Sequence, residues 1–495
     1  MGTIDSAFSL ISGALNADQS ALSIVAGNVA NANTPGYSRE TPTWSENSPV
    51  TINGRTYGTG VTETGAQSVR DRVLLARLDQ QQQLASASGA RLSALNLLQS
   101  LFTPASGASG STAGDIGSAI TGFFNSFAQL EANPADHALR QQVLSSAQML
   151  AGDISGAAAS VANRQSAVDQ EAAGVVTQVN ALTASIAQLN QQIQSLSANG
   201  SAGPLEDQRQ QDISKLSQLV GINQVATENN GLTITTASGQ MLVSEGVSTN
   251  LTTGTVNGVT AFFLGGTGVT GELTGGGGQL GGYLTTRDHD IPQVMGALDQ
   301  LAFGIATEVN AQNAAGLDLN GNAGAAIFGL PPVIPGLPVD QGAALGLNVA
   351  MTDPNQIAAA GAGKGTGDNS NAVTLARLAS EADPPILTGL VLPDGTTLVA
   401  RQTLLAGQTP SGSYSGLVSR LGSTVSQVQT ENEAENASVS QLQTQNNALS
   451  QVNLNDEAAA LTMLQRSYQA ASQMFAILNT IMASALNLGS QTTVG

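Results

Sequence analysis

The feature that most limits what this chain can fold into is a heptad rhythm that returns at separate places. Near the start, Ile4, Phe8, Ile11, Leu15, Leu22, Val25 and Val29 follow steps of three and four, with Asp18 interrupting the series. Leu74, Leu78, Ala85, Leu92, Leu95 and Phe102 keep the same register further on. A longer run goes from Leu150 through Ile154, Val161, Val168, Val175, Val179 and Ile186 to Leu196. At the other end, Leu461, Leu464, Tyr468, Ala471, Phe475, Leu478 and Met482 repeat it without a gap. A period near 3.5 paints one narrow apolar stripe along a helix, the width of a coiled-coil contact. Such a helix cannot bury its stripe alone. For the middle runs an ordinary bundle supplies the partner. The terminal runs lie where chains fray unless something ties them down. Their long stripes therefore predict pairing, end to end within the chain or with another chain.

Composition sharpens this. A chain of 495 residues should hold several domains. Aromatics make up only 3 % of it, too few to supply the buried area of thick cores, so aliphatic seams must do so. The net charge is −19 and no Lys/Arg run occurs, which argues against nucleic-acid or anionic-membrane partners. Cysteine is absent, excluding disulfides, thiol nucleophiles and thiolate zinc sites. The opening "MGTIDSAFSLISGALNADQS" lacks a basic region and a long apolar core, so a Sec-type signal is not expected. No stretch is apolar for long enough to predict a membrane-spanning helix.

Between the helical blocks the texture changes. Residues 225–285 read as β, alternating in "GLTITTASGQMLVSEG" and "GVTAFFLGG", with turns at Asn230-Gly231 and Asn257-Gly258. The Gly-rich "GGTGVTGELTGGGGQLGGY" closes that region. A helix is expected over 290–313 and a Pro-rich loop over 316–345. A small hairpin is expected over 386–402, turned at Pro393-Asp394-Gly395, with helix resuming near Tyr414. The fold class is thus mainly α with β inserts. N- and C-terminal helices pair in coiled-coil or helical-bundle domains, and a β-rich inserted domain projects outward. The expected segments are 1–70 (terminal helix and turn motif, pairing with 440–495), 71–224 (long helical bundle), 225–285 (β-rich insert), 286–440 (helix and loop returning to the bundle) and 440–495 (C-terminal helix).

No catalytic constellation stands out. Gly266, Gly268 and Gly271 satisfy G-x-G-x-x-G, but more glycine follows where a phosphate-binding helix should start. Asp318, Asn320 and Asn322 have the spacing of calcium-loop ligands, yet Gly329 stands where the bidentate Glu should be. An Asx-stabilised turn is expected there instead. His289 between Asp288 and Asp290 reads as a solvated helix start, and Asp456-Glu457 as carboxylates facing a helix dipole. No enzyme, cofactor or metal is expected.

What remains is "NVANANTPGYSRE", residues 28–40. Asn31 and Asn33 suit a helix end, since Asn tolerates left-handed backbone and bonds locally. Thr34 is pushed out of the α region by Pro35. Pro35-Gly36 fits the centre of a type II turn, after which Tyr37 and Trp44 can pack back on the helix.

"LSIVAGNVANANTPGYSRE" is similar to the N-terminal signature of the bacterial flagellar axial proteins, the rod, hook and hook-associated family. "YGTGVTETGAQSVRD" resembles the segment that follows it, and "VNLNDEAAALTMLQRSYQAASQMFAILNTIMASALNL" resembles the C-terminal motif. "LDQLAFGIATEVNAQNAAGLDLNGNAGAAIF" and "VAMTDPNQIAAAGAGKGTGDNSNA" look like hook-associated members. The resemblance implies a structural subunit at the hook–filament junction, with Asn28, Asn31, Asn33, Thr34, Pro35, Gly36 and Tyr37 as one assembly motif. Asn453, Leu454, Asp456, Glu457, Ala458, Leu461, Gln465, Tyr468 and Ala470 follow as the other. Asn455 departs from the family's usual acidic residue, and a helix-start Asn can still cap. The implied partners are other copies of the chain in a ring, the hook protein, the second junction protein, the flagellar type III export apparatus and an export chaperone. The implied location is outside the cell, in the flagellum. The alternatives are another axial component (hook, distal rod or second junction protein), a secreted adhesin, or a peptidoglycan hydrolase carried by the insert.

Overall fold

The computed structural model describes residues 2–52, 54–103, 116–197, 202–227, 230–256, 258–381, 389–397 and 404–491. The chain begins with α1 (Gly2–Asn31), the strands β1 (Glu40–Glu46), β2 (Val50–Ile52), β3 (Arg55–Tyr57) and β4 (Val61–Ser68), and the helices α2 (Arg72–Ser100), α3 (Ile116–Ala132), α4 (His137–Ser197) and α5 (Gly203–Leu219). Strands follow: β5 (Ile222–Ala226), β6 (Leu232–Thr236), β7 (Met241–Ser244), β8 (Val247–Ser248), β9 (Leu251–Val256), β10 (Val259–Leu264) and β11 (Thr267–Gly268). Helices α6 (Thr270–Leu273), α7 (Gly278–Thr285) and α8 (Ile291–Ala314) come next. Then come the short β12 (Gly316–Leu317), β13 (Phe328–Gly329), α9 (Ala343–Gly346), β14 (Asn348–Val349) and β15 (Ala360–Gly361). The chain continues with α10 (Ser370–Arg377), α11 (Pro410–Ser450) and α12 (Leu454–Gln491). It divides into two compact units, one of Met1–Ser86, Val175–Gly281 and Glu433–Gly495, the other of Ala87–Gly174 and Gly282–Asn432. Residues of the expected 71–224 segment fall in both.

In the first unit α1 and α12 run antiparallel. The Phe8 and Phe475 rings meet at a 49° tilt with centroids 4.5 Å apart, while Asn28 reaches Glu457 further along. The seam is shallow. On α1 Ile11, Ala17, Ala21, Val25 and Asn28 are buried, and Phe8, Leu15 and Leu22 are half-buried. On α12 Leu461, Leu464, Phe475, Leu478 and Met482 are half-buried. Ile4 is helical. Two expected seam residues lie outside it: Val29 is 43 % exposed and Tyr468 37 %. At the end of α1 the buried position is Asn28, whose side chain is taken up by Tyr37, Glu40 and Glu457, while the adjacent Val29 faces outward.

β1 and β4 form an antiparallel ribbon with a bulge at Thr43/Trp44, and β2 and β3 a smaller hairpin. The four-stranded sheet β5-β6-β7-β8 and the three-stranded β11-β10-β9 lie in the same unit. Asn190 on α4 donates to the carbonyls of Leu232 and Glu245, and Asn180 exchanges hydrogen bonds with the backbone of Leu251, pinning both sheets to that helix. Strands occupy 222–268, and the part of the expected β segment 225–285 that follows Gly268 carries the helices α6 and α7 instead. Its glycines serve close approach, not strand turns alone. A Cβ at Gly282 would sit 2.2 Å from the Ala87 carbonyl oxygen, so α7 can lie against α2 there only as glycine.

The second unit holds the dense core. Phe123 packs against Phe124, Phe127 and Phe328 at centroid distances of 5.1, 5.3 and 5.3 Å. Val143, Leu150, Ile154 and Val161 of α4 and Leu298, Leu301 and Ile305 of α8 close round them. Asp136 caps α4 by accepting from the Ala138 and Leu139 N–H groups. The fully buried Arg140 donates to the carbonyls of Pro134, Pro354 and Ile357. The trio 288–290 is not a helix start. It lies in a π-helical turn, Thr286–Asp290, in which Arg287 pairs with Asp169 and Asp288 while Arg91 grips Asp290 through two 2.8 Å bonds. Asp318 accepts from the N–H groups of Asn320 and Asn322, the Asx turn expected there. Of the hairpin expected over 386–402, residues 389–397 are described. Val391 bridges Thr397 across Pro393-Asp394-Gly395; the rest lies outside the described residues.

Candidate assembly site

α1 ends where its side chains begin to replace backbone partners. Asn31 folds its side-chain amide back on the helix and donates to the Gly27 carbonyl one turn earlier. Thr34 returns both its N–H and its hydroxyl to Asn31. Pro35 and Gly36 then form the tight turn, closed by the Tyr37 N–H on the Thr34 carbonyl at 3.2 Å. Gly36 has φ +76°, which glycine adopts without cost, and a Cβ there would strike the Gln211 side chain.

The turn aims Tyr37 back at Asn28. The Asn28 carbonyl oxygen accepts from the Tyr37 hydroxyl and from the Glu40 N–H, both at 2.9 Å. Its amide donates to the Glu40 carbonyl at 2.8 Å and to Glu457 Oε2 at 3.1 Å. The carboxamide thus uses two donors and two acceptors, its full capacity. Glu457 Oε1 takes the Arg39 Nε at 2.6 Å, and the Arg39 N–H donates to the Ser450 carbonyl at 2.9 Å. Asn28 and Glu457 are each 1 % exposed. One buried cluster therefore ties the end of α1 to the start of α12, 429 residues away in sequence.

A second set fixes the turn to α5. Gln211 donates to the Pro35 carbonyl and Asp207 accepts from the Ser38 N–H, both at 3.0 Å. Arg70 holds Asp207 at 2.8 Å and Glu206 at 2.9 Å. Burial, then the charges of Glu40, Asp207 and Glu457, push the Tyr37 phenol up to about 12. Burial also raises Asp207 and, with Asp207 beside it, Glu40. A cavity of about 480 Å³ lies beside the turn, lined by Asn33, Pro35, Asp79, Gln210 and Asn446 among others. Asp79, buried under Gln210 and Gln224 amides that donate at 2.8 Å, is pushed up to about 6 by desolvation.

The C-terminal motif starts α12. Asn453 caps it by accepting from the Asn455 N–H at 3.0 Å, so Asn453, not Asn455, is the capping side chain. Asp456 is exposed in the first turn, where the helix dipole favours it. Glu457 exceeds that reading, since its carboxylate is committed to Asn28 and Arg39. Leu454 is 51 % exposed, Asn33, Thr34, Pro35 and Gly36 lie on the surface, and Trp44 on β1 is 49 % exposed and not packed down on α1 as expected. Sequence reading missed Arg39 and Glu40, which end the same quoted stretch, and Arg70, Asp207 and Gln211, for which no local signal exists. The arrangement offers fully bonded, buried polar groups, suited to holding two chain ends in register. Among the described residues no group of three metal-ligating side chains assembles, and no helix is long and apolar enough to cross a membrane.

Residues 107–328 match the family described as the helical domain of flagellar hook-associated protein FlgK, and residues 11–37 match that of flagella basal body rod proteins. The chain is 26 % identical to flagellar hook-associated protein 1 of Escherichia coli (strain K12), over 96 % of this chain and 98 % of that one. It is 26 % identical to the protein of the same name from Bacillus subtilis (strain 168), over 96 % of each. Its fold is similar to that of the flagellar hook junction protein FlgK from Burkholderia pseudomallei, with a TM-score of 0.61 at 20 % identity, covering 74 % of this chain and 99 % of the other.

Proposed function

We infer function from the premise that the chain belongs to the flagellar hook-associated protein 1 family. It is a structural subunit of the bacterial flagellum, acting at the hook–filament junction. We propose that it polymerises there into a ring through its terminal helices, with the hook protein on one side and the second junction protein on the other. It reaches that place by type III export, escorted by a chaperone.

The observation that carries this reading is the cluster of Asn28, Arg39 and Glu457. A subunit that builds a tube from its two ends must deliver both ends together and in register. A buried carboxylate shared between a donor amide and a guanidinium does that, because slipping either helix by one turn strands a charge in the interior. A strain lacking the gene should build hooks and shed flagellin into the medium. Full-length chain should restore filaments, while chain lacking 454–495 should remain soluble and restore none. Filament growth supported by the truncated chain would overturn the reading.

A further inference from the structure

α12 carries two apolar stripes. The first is the half-buried seam against α1. The second, Met463, Met474, Ile477 and Ile481, follows the same heptad spacing on another face and is 68, 59, 60 and 48 % exposed. In the same unit a second apolar group stands open on the two hairpins that follow α1. Trp44 and Val61 share one face of the β1–β4 ribbon with their cross-strand partners Glu63 and Glu46, and they stay exposed beside the contact in which Glu63 accepts from the Ser20 hydroxyl of α1. Val50 and Tyr57 are cross-strand partners on β2–β3. Their exposures are 49, 39, 47 and 48 %.

We propose that these two surfaces are partners between neighbouring copies of this chain: the outer stripe of α12 on one copy docks on the β1–β4 and β2–β3 hairpins of the next. The proposal rests on the junction-subunit reading and names the contact that would propagate the ring. Side-chain chemistry matches, since Met463 and Met474 offer flexible thioethers and Trp44 and Tyr57 offer aromatic edges, a pairing that sulfur favours. Dimensions match as well. Met463 to Ile481 spans about 27 Å at 1.5 Å per residue, and strands the length of β1 and β4 span about 25 Å. Charge points the same way. Copies of a chain with net charge −19 repel, yet between Ala458 and Gln491 the charged residue is Arg466, against Glu40, Glu46 and Glu63 with Arg55 on residues 40–68. Two-stranded ribbons are also marginal in water and gain from being covered. Because the two patches differ, the contact is head-to-tail, which generates rings or helical assemblies. A stripe paired with its own copy would close a two-fold dimer instead.

The absence of cysteine makes the test direct. Full-length chains carrying Tyr57→Cys or Met474→Cys are expressed singly and together in the gene-deleted strain, and isolated hook–filament particles are treated with a short thiol-bridging reagent. The expected result is a linked dimer when the two chains are co-expressed and monomer when either is alone. Trp44→Cys with Ile477→Cys repeats the test should the first pair fail to fold. Dimers from Met474→Cys alone would mean stripe-to-stripe pairing and overturn the proposal. Restored filaments with no link in either mixed pair would also overturn it, leaving the junction reading intact. Absence of the chain from filament-bearing particles would defeat that reading itself.

Discussion

Two parts of the molecule use the same heptad rhythm to different ends. In the second unit the stripes of α3, α4 and α8 meet from several sides, and Phe123, Phe127, Leu150, Ile154 and Leu298 are wholly buried. In the terminal pair the stripes of α1 and α12 meet each other, with the β1–β4 ribbon beside α1, and among the described residues the buried apolar side chains of α1 are Ile11, Ala17, Ala21 and Val25. The core is closed by apolar packing, whereas the pair is registered by polar groups: Asn28, Arg39, Glu457. A narrow stripe becomes a core only when more than one neighbour covers it. Against one helix and a two-stranded ribbon it remains a seam, and its precision comes from polar groups.

The contrast can be broken most forcefully in the core. Phe123→Ala should cost about 3–5 kcal/mol, by lost transfer energy and the cavity left behind. Hydrogen exchange should then rise across α3 and the core-facing part of α4 while α1 keeps its protection. In the terminal pair, Arg39→Ala should cost about 3 kcal/mol locally, because it leaves the buried Glu457 carboxylate without its cation. Exchange should increase at 20–31 and at the start of α12, with filament restoration reduced. Glu457→Gln keeps the shape and should do less harm than Arg39→Ala; equal damage would show that packing, not charge, sets the register.

Asp79 sharpens the comparison through pH. Its folded pKa is raised above the unfolded value, so the folded state favours the neutral acid. The stability this group contributes is full below about pH 4, falls as pH rises towards about 6 and then stays low. The loss is on the order of 2–3 kcal/mol. Asp79→Asn should remove it, raising the thermal midpoint of the full chain at pH 7 and matching the original at pH 4. An unchanged pH profile would place the charge elsewhere. The smallest effect on folding belongs to Met474→Ser. An exposed site like this should shift stability by less than about 0.5 kcal/mol, yet filament restoration should fall if the outer stripe docks on a neighbour.

How much was legible varies by element. The rhythm of Leu150 to Leu196 is one helix, and the turn at Pro35-Gly36 follows from the conformations those residues adopt. The Gly-rich stretch after Gly265 was misread because glycine marks both strand turns and close helix contact, and only the neighbour tells them apart. Here the neighbour is Ala87, remote in sequence. The assembly motif was recognisable as residue types, but its wiring was not. Nothing around Asn28 indicates Glu457, and nothing around Pro35 indicates Gln211.

What the sequence determined by itself is therefore what rests on local periodicity and backbone preference: the long helices, their stripes, the end of α1, and the lack of cysteine or basic runs. The tertiary structure decided which stripes become core, which face of α12 stays open, and where each buried polar group finds its partner. The physical reason is range. Helix period and turn conformation are set within a few residues, whereas burial and hydrogen-bond satisfaction depend on groups that only folding brings together.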